Sequence, residues 1–328
     1  MRTIDHQLSA ISYQPSARIV TVNLNPVLDR TLALPRLTVG QINRAQLVRL
    51  DVGGKGFNVS RALLELGSPS LALGVLGGAT GEMLRRGLEE LGIAGDFVFV
   101  EGETRQNLTL LDESTGLYTK INEAGPQWTQ DTVEALLAKV RERVAPDDVW
   151  VMAGRLPPGA PADLYARLIT LVQSGGARAY LDSSGQPLRL ACQAAPYGVK
   201  PNVEEAEEVV GHRLTSLEDL VGATRAFLEF GIQVVAISRG AQGALVAQGR
   251  RVVQAMPPAV EIRSTVGAGD AFMAGLVWTL EGGRDLAEAA RWAVACGTAA
   301  AMEEGTGVGT REKFEALASR IIVEDARQ

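Results

Sequence analysis

The sequence is poor in the residues that build disulfide frameworks, zinc centres and histidine-dependent active sites. Its 328 residues include only 2 cysteines and 2 histidines. Cys192 and Cys296 are too few for a disulfide framework or a four-cysteine zinc site, and this composition fits a reducing compartment. His6 lies in the N-terminal tail and His212 follows a glycine in a predicted turn. These positions argue against a serine triad and against an H-E-x-x-H metal site.

The chain also lacks an excess of positive charge and long apolar runs. Its 32 Lys and Arg residues against 38 Asp and Glu residues give a net charge of −6, which is not the electrostatic footprint of a general nucleic-acid binder. No window approaches the roughly 18 uncharged apolar residues of a membrane-spanning helix, and residues 1–17 lack the apolar core of a signal peptide. We therefore expect a cytoplasmic protein with no nucleic-acid or membrane partner, in which residues 1–17 form a loose extension.

Three familiar glycine motifs are absent as well. There is no G-x-x-x-x-G-K-[ST] phosphate loop. The segment Gly267-Ala268-Gly269 is followed by Asp270-Ala271-Phe272, so a G-x-G-x-x-G fingerprint fails at its third glycine. The segment 236–240 resembles a nucleophile elbow but has alanine where the first glycine belongs. A simple dinucleotide-binding fold and a serine hydrolase both lose their sequence support.

Short apolar runs alternate with helix-period segments, which is typical of a mostly parallel sheet covered by helices on both faces. The strand-like runs are Arg18–Asn23, Ser70–Leu76, Asp148–Ala153, Ala177–Asp182 and Gln233–Ser238, and Thr129 and Ser216 are placed to cap two of the helices. Two stretches, Thr31–Asp51 and Gln106–Asn122, instead show a strand, a turn and a strand. We expect them to form a small β-sheet lid over one edge of a single domain spanning residues 18–328.

Two glycine-rich segments more than 200 residues apart carry the chemistry that remains. Gly53–Asn58 opens an amphipathic helix pattern, where glycines and free N–H groups favour a polar or anionic ligand, although a plain strand-to-helix turn is the alternative. Ser264–Asp270 opens an apolar helix, where backbone donors suit charge developing on a transferring phosphoryl group. Within it, Asp270 is either a helix cap or a base for a substrate hydroxyl.

These two segments resemble the two signatures of the PfkB, or ribokinase-like, family of carbohydrate kinases. The resemblance runs from about Ile19 onward, because further segments are similar, in order, to landmarks of the phosphofructokinase and tagatose-6-phosphate kinase subgroup: Thr21–Asp29, Gly77–Gly81, Thr104–Asn107, Leu156–Gly159, Asp182–Gly185 and Val199–Asn202. It implies a ribokinase-like three-layer α/β/α sandwich with a mostly parallel central sheet and a small β-sheet lid. It also implies a site for ATP with Mg²⁺ beside a sugar site.

The resemblance further implies a role for individual residues. Asp270 would be the catalytic base, and the backbone of Gly267, Ala268, Gly269 and Asp270 would form an anion hole. The substrate side would comprise Asp29, Gly53, Gly54 and Asn58 toward the hydroxyl groups and Arg105 and Lys120 toward the phosphate. The ATP side would comprise Lys200, Asn202, Ser238, Gly240, Gly243, Ser264 and Thr265, with Asn202 and Glu205 reaching Mg²⁺ through water.

Some of these assignments have alternatives. Arg155 stands where relatives usually carry serine, so it either adds a second phosphate ligand or points away. A plain hairpin competes with a nucleotide-contacting turn at Ser238–Gly243. A solvated acidic helix face is favoured for Glu204, Glu207 and Glu208, but not for Glu205.

The resemblance implies a phosphosugar kinase with two small-molecule partners, a phosphosugar and ATP. Ile121–Pro126 is most similar to the lid exit of the 1-phosphofructokinases, which favours fructose 1-phosphate as the acceptor. Thr104–Asn107 also resembles minor 6-phosphofructokinases, so that activity and tagatose-6-phosphate kinase activity stay open. A non-catalytic sensor of sugar phosphates or nucleotides is the alternative of a different class. The apolar residues of the lid predict a homodimer formed through the two lids.

Overall fold

The computed structural model describes residues 18–326, so the expected loose extension at residues 1–17 lies outside the described residues. In chain order the strands are β1 (Ile19–Asn23), β2 (Val27–Leu34), β3 (Gln46–Gly53), β4 (Ser70–Gly77), β5 (Ala94–Val100), β6 (Gln106–Asp112), β7 (Leu117–Asn122), β8 (Val149–Ala153), β9 (Arg178–Asp182), β10 (Gly198–Val199), β11 (Val234–Ser238), β12 (Ala244–Gln248), β13 (Arg251–Met256) and β14 (Ile322–Asp325).

The helices lie on both faces of the larger of two sheets. In chain order they are α1 (Lys55–Glu65), α2 (Gly78–Glu90), α3 (Gln130–Arg143), α4 (Leu164–Ser174), α5 (Gly185–Gln193), α6 (Val203–Val210), α7 (Leu217–Glu229), α8 (Ala268–Glu281), α9 (Leu286–Ala301) and α10 (Arg311–Ala318). Among residues 18–326, no helix is both long and apolar enough to cross a membrane.

The large sheet has ten strands in the order β14-β13-β12-β11-β10-β9-β8-β1-β4-β5. The pairs from β11 through β10, β9, β8, β1 and β4 to β5 are all parallel, whereas β11 through β14 pair antiparallel. Every residue of β1 and of β8 is buried, because helices cover both faces of the parallel part. The predicted fold class is confirmed.

The five predicted strands of this sheet and the two predicted helix caps are confirmed. Each of the five predicted runs overlaps a strand whose ends differ from it by no more than one residue. The Oγ1 of Thr129 accepts from the N–H of Thr132 and caps α3, and the Oγ of Ser216 accepts from the N–H of Asp219 and caps α7.

The small sheet has the order β3-β2-β6-β7. Strand β2 starts at Val27, four residues before the predicted segment Thr31–Asp51. It starts there because Val27 already pairs with Gly53 and Leu28 with Gln106. The chain leaves β1 at Asn23 and enters β2 after a three-residue connection that contains Pro26. Asp29 therefore lies inside the small sheet and not at the end of the first strand of the large sheet.

The pairing register gives the small sheet a polar face and an apolar face. Asp29 pairs with Asn107 in the neighbouring strand. Thr31, two residues after Asp29 and so on the same face, pairs with Thr109, which in turn pairs with Lys120. Leu50, Arg30, Leu108 and Ile121 are aligned across the four strands on the opposite face. Leu50 is 43% exposed and Ile121 is 51% exposed, so the described chain leaves much of the apolar face uncovered.

Candidate active site

Asp270 lies in the first turn of α8, at the carboxyl edge of the large sheet. Gly267 caps this helix with a φ of 83°, a conformation that favours glycine, and a Cβ there would lie 3.8 Å from the carbonyl oxygens of Thr306 and Gly307. Asp270 itself is 4% exposed. Burial raises the pKa of its carboxyl group to about 6, against the opposing effect of the positive charge of Lys55. Such a group is ionised at neutral pH and strong enough as a base to accept a proton.

Asn58, in α1, holds the Asp270 carboxylate from the facing helix. Its Nδ2 donates to Oδ2 of Asp270 at 2.8 Å, and its Oδ1 accepts from Arg61 at 3.3 Å. Arg61 also donates to the carbonyl oxygen of Thr306 at 3.0 Å. Both ends of the Asn58 amide thus have protein partners, which fixes its orientation toward Asp270. Its expected contact with a sugar hydroxyl stays a prediction.

Two lysines share one buried carboxylate next to Asp270. Lys55 Nζ donates to Oδ1 of Asp182 at 3.0 Å, and Lys200 Nζ lies 3.1 Å from Oδ2 of the same residue. Burial opposes ionisation of Asp182, but the two lysines outweigh it and hold the pKa of Asp182 below its usual value. A Cβ on Gly269 would lie only 3.3 Å from Lys200 Nζ. The ion pair of Lys200 with Asp182 therefore lies against the first turn of α8.

The backbone of the second glycine segment is partly engaged in its own turn. Ala268 N donates to Thr265 O at a long 3.4 Å, and Asp270 N donates to Gly267 O at 3.1 Å. Ser264 Oγ donates to Gly305 O at 2.8 Å, and Thr265 is exposed. The start of a buried helix still carries the partial positive charge that favours anions. The anion hole and the roles of Ser264 and Thr265 stay predictions.

Five of the residues expected toward ATP and Mg²⁺ form two groups that meet at one bridge. Asn202 and Glu205 form a capping box at the start of α6: Asn202 Oδ1 accepts from Glu205 N at 2.8 Å, and Glu205 Oε2 accepts from Asn202 N at 2.8 Å. Asn202 also forms an isolated parallel β-bridge with Ser238, the last residue of β11. The capping box accounts structurally for both side chains.

The turn after Ser238 is a hairpin between antiparallel strands. Residues Gly240–Gln242 form one turn of 3₁₀ helix between β11 and β12. A Cβ on Gly243 would lie 1.9 Å from the carbonyl oxygen of Ala255, so a glycine is required there by the packing of β13. The hairpin alternative describes the geometry, and contact of Ser238, Gly240 and Gly243 with a nucleotide stays a prediction.

The residues expected on the substrate side meet on the polar face of the small sheet. Asn107 Nδ2 donates to Oδ1 of Asp29 at 2.9 Å. Arg105 Nη2 donates to the carbonyl oxygen of Asn25 at 3.2 Å. A Cβ on Gly53 would lie 2.2 Å from Oδ2 of Asp29, so this carboxylate rests against the glycine backbone. Burial raises the pKa of Asp29. This set presents a carboxylate, an amide and a guanidinium group, which suit hydroxyl and phosphate recognition.

Two cations expected at the phosphate are more exposed. Lys120 is exposed on the same face of the small sheet as Asp29. Arg155 is exposed in the loop after β8, directly after Gly154, whose Cβ position lies 3.9 Å from Cβ of Lys55. Their contacts with a substrate phosphate stay predictions.

Sequence reasoning assigned no role to four polar residues of the site: Asn107, which holds Asp29, and Lys55, Asp182 and Asn23. Lys55 lies within the first glycine segment, and Asp182 ends a predicted parallel strand at the sheet edge where α/β proteins bind ligands, so both had a signal. Asn23, at the end of β1, is 1% exposed. Its Nδ2 has no hydrogen-bond partner among residues 18–326, and a Cβ on Gly54 would lie 2.1 Å from it. Asn23 lies within the landmark segment Thr21–Asp29, but that segment singled out only Asp29.

Comparison with known proteins identifies the family of this chain. Residues 22–313 match the pfkB family carbohydrate kinase description. The 1-phosphofructokinase of Rhodobacter capsulatus is 39% identical over 307 residues, which cover 93% of this chain and 97% of that protein. The tagatose-6-phosphate kinase of Staphylococcus epidermidis is 32% identical, with coverage of 93% and 99%. The crystal structure of phosphofructokinase-2 from Escherichia coli in complex with potassium superposes with a TM-score of 0.88 at 32% identity and covers 93% of this chain and 99% of that one.

The chain belongs to the pfkB family of carbohydrate kinases. It is a kinase of the ribokinase-like fold, and ATP is the co-substrate of this family. The predicted family, fold and reaction class are confirmed.

Proposed function

We propose that the protein transfers the γ-phosphoryl group of ATP to fructose 1-phosphate and forms fructose 1,6-bisphosphate. The observation that carries this proposal is the buried carboxylate of Asp270 in the first turn of α8, held there by a hydrogen bond from Asn58 of α1. The names of the curated relatives, 1-phosphofructokinase above all, support the choice of acceptor.

The chemistry needs one base and one centre of positive potential. Asp270 accepts the proton of the acceptor hydroxyl group while the oxygen of that hydroxyl bonds to the γ-phosphorus. The bond from the γ-phosphorus to the β,γ-bridging oxygen breaks, and ADP leaves with the electron pair. The start of α8 faces the charge that develops on the phosphoryl group. Asn58 keeps the Asp270 carboxylate in one orientation during this step.

Substrate selection is assigned to the small sheet. Asp29, Gly53 and Gly54 would receive the sugar hydroxyl groups, while Arg105 and Lys120 would bind the phosphate that the substrate already carries. Arg105 is the stronger candidate of the two cations because it is half-buried and anchored to Asn25. An unphosphorylated sugar would bring no phosphate to this guanidinium group.

The donor set for Mg²⁺ fits only as an outer shell. Among residues 18–326, no three His, Cys, Asp or Glu side chains lie close enough together to hold a metal ion. Asn202 and Glu205 are oxygen donors, but their capping box already uses an oxygen of each. Mg²⁺ commonly keeps several waters and binds substrate phosphates, so these two residues would hold its water shell. When bound, the metal would neutralise charge on the phosphates of ATP.

The assembly is proposed to be a homodimer that buries the apolar faces of two small sheets. These faces present Leu47, Leu50 and Ile121, each more than 40% exposed. Isologous packing about a two-fold axis would cover both faces and both open edges. In this proposal residues 18–328 form one kinase domain, and the small sheet is its lid.

The test is a substrate panel with Asp270→Asn as the decisive variant. ADP release is measured with fructose 1-phosphate, fructose 6-phosphate and tagatose 6-phosphate, and we expect the highest kcat/KM with the first. Asp270→Asn should lose about 10²–10⁴-fold in kcat and retain its KM values. Asp131→Asn, an exposed aspartate in the first turn of α3, is the matched control and should leave activity unchanged. No ADP release with any acceptor would favour the sensor alternative.

A further inference from the structure

The first turn of α1 presents two polar side chains toward the first turn of α8. Lys55 and Asn58 are three residues apart and so lie on neighbouring positions of one helix face. Asn58 contacts Asp270 directly, whereas Lys55 reaches Asp182 and thereby the edge of the large sheet. The transfer step proposed above uses Asp270 and Asn58 and leaves Lys55 without a role.

The charges around Asp270 can be counted from the groups that face it. From α1 these are Lys55 and the neutral Asn58, from the end of β9 Asp182, and from the segment after β10 Lys200. Two ammonium groups against two carboxylates sum to zero while Asp270 is ionised. Beyond these four, the Glu205 carboxylate of α6 acts on Lys55, and Arg61 of α1 contacts the other end of the Asn58 amide. Without Lys55, one ammonium group would face two buried carboxylates, and like charges in one site favour protonation of one of them.

The exposure of the two lysines separates their roles. The Lys200 side chain is 5% exposed and the Asp182 side chain 1%, so this part of the cluster is sealed. The Lys55 side chain is 40% exposed and borders the open edge of the site. Lys55 is therefore the member of the cluster that can be removed without opening a cavity in the core.

We propose that Lys55 is a positioning residue for phosphoryl transfer: its ammonium group neutralises Asp182 and so keeps the Asp270 carboxylate ionised and able to accept the hydroxyl proton. The inference rests on the proposed function, because it assigns Lys55 a task in that same step. It adds a determinant of the pH range in which the base works. The positive charge of Lys55 lowers the pKa of Asp270 and so opposes the effect of burial, which is the direction that this role requires.

The structure supplies a matched control at the opposite end of the same strand. Arg178 begins β9, and its side chain is 41% exposed and pairs at 2.9 Å with Glu281, whose side chain is 2% exposed. Lys55 pairs at 3.0 Å with Asp182 at the other end of β9, with nearly the same two exposures. Removing either cation breaks one half-buried ion pair, but only Lys55 faces Asp270.

The first experiment compares the pH dependence of kcat/KM for MgATP and fructose 1-phosphate in wild type, Lys55→Met, Lys55→Arg and Arg178→Met. The substrate phosphate also titrates near pH 6, but it does so equally for all variants. We expect Lys55→Met to shift the acidic limb of the kcat/KM profile to a pH higher by about one unit, because Asp270 would then hold its proton more tightly. Lys55→Arg should restore the wild-type limb, and Arg178→Met should leave it in place. An unmoved limb in Lys55→Met would overturn the proposal even if its activity fell.

The second experiment needs no kinase activity, so it separates this inference from the proposed function. Thermal unfolding is measured at pH 7.5 for wild type, Lys55→Met, Asp270→Asn and the double variant. If Lys55 stabilises ionised Asp270, its removal costs less stability once residue 270 is neutral, and the double variant is more stable than the sum of the single effects predicts. Additive effects would refute the inference whether or not the wild type is a phosphosugar kinase.

Discussion

The proposed base should cost the protein stability, and the size of the cost follows from its burial. Asp270 is held with a pKa of about 6 against its ordinary 3.8. Because one pKa unit corresponds to 1.36 kcal/mol, keeping this carboxylate ionised at neutral pH costs about 3 kcal/mol of folding free energy. Asp270→Asn keeps the size of the side chain and removes the charge. It should therefore stabilise the protein while it lowers kcat about 10²–10⁴-fold.

The pH dependence fixes the sign of this effect. Asp270 binds its proton more tightly in the folded chain, so its contribution to stability is most favourable at low pH and is lost as the pH rises through about 6. The gain from Asp270→Asn should be close to its full value above pH 7 and should shrink toward zero near pH 4. For a chain of this length, about 3 kcal/mol corresponds to a rise of roughly 5 °C in Tm.

The assay is thermal unfolding followed by circular dichroism at pH 4.5 and pH 7.5, with Asp182→Asn as a control in the same cluster. Asp182 is equally buried, but Lys200 and Lys55 hold its pKa below the usual value. Its neutralisation leaves both lysines without their carboxylate and should lower Tm at pH 7.5. If Asp270→Asn also lowers Tm at pH 7.5, the carboxylate is not held ionised against its burial and the reasoning fails.

The remaining predictions concern the small sheet. Arg105→Ala should raise KM for the phosphosugar about tenfold or more and change KM for ATP little, because a charge-assisted contact of about 1.5–3 kcal/mol is lost on the substrate side alone; equal changes in steady-state kinetics would contradict the placement. Leu50→Asp should convert a species near twice the chain mass of 34.8 kDa into one near that mass in light scattering, whereas Phe230→Asp, which changes a similarly exposed apolar side chain after α7, should not. A wild type that elutes as a monomer would refute the dimer.

The central part of the fold was predictable because parallel strands covered on both faces are continuous apolar runs. Ile19–Asn23 and Val149–Ala153 show this plainly, since every residue in them is buried. The start of the small sheet was not predictable at the same precision. Val27–Arg30 mixes apolar and charged residues immediately after Pro26, and only its pairing with Gly53 and Leu50 shows where the strand begins.

The candidate site was predictable where a motif carries it and hidden where distant segments meet. The glycine segment before Asp270 marks that residue in the sequence. Its partner Asn58 is 212 positions away, and the Lys55 contact with Asp182 spans 127 positions. One sequence contains no signal for such pairings, because they arise from which helix and strand ends the topology brings to one edge.

The direct passage from β3 into α1 constrains how the length of this chain can vary during evolution. Gly54 is the single residue between the strand that ends at Gly53 and the helix that begins at Lys55. One inserted residue there would rotate the start of α1 by about 100°, since an α-helix has 3.6 residues per turn. Lys55 and Asn58 would then turn away from the two aspartates, while a residue deleted within β3 would exchange its apolar and polar faces. Insertions and deletions should instead accumulate in the exposed turn between β2 and β3, at residues 38–45, where neither the helix phase nor the strand register depends on them.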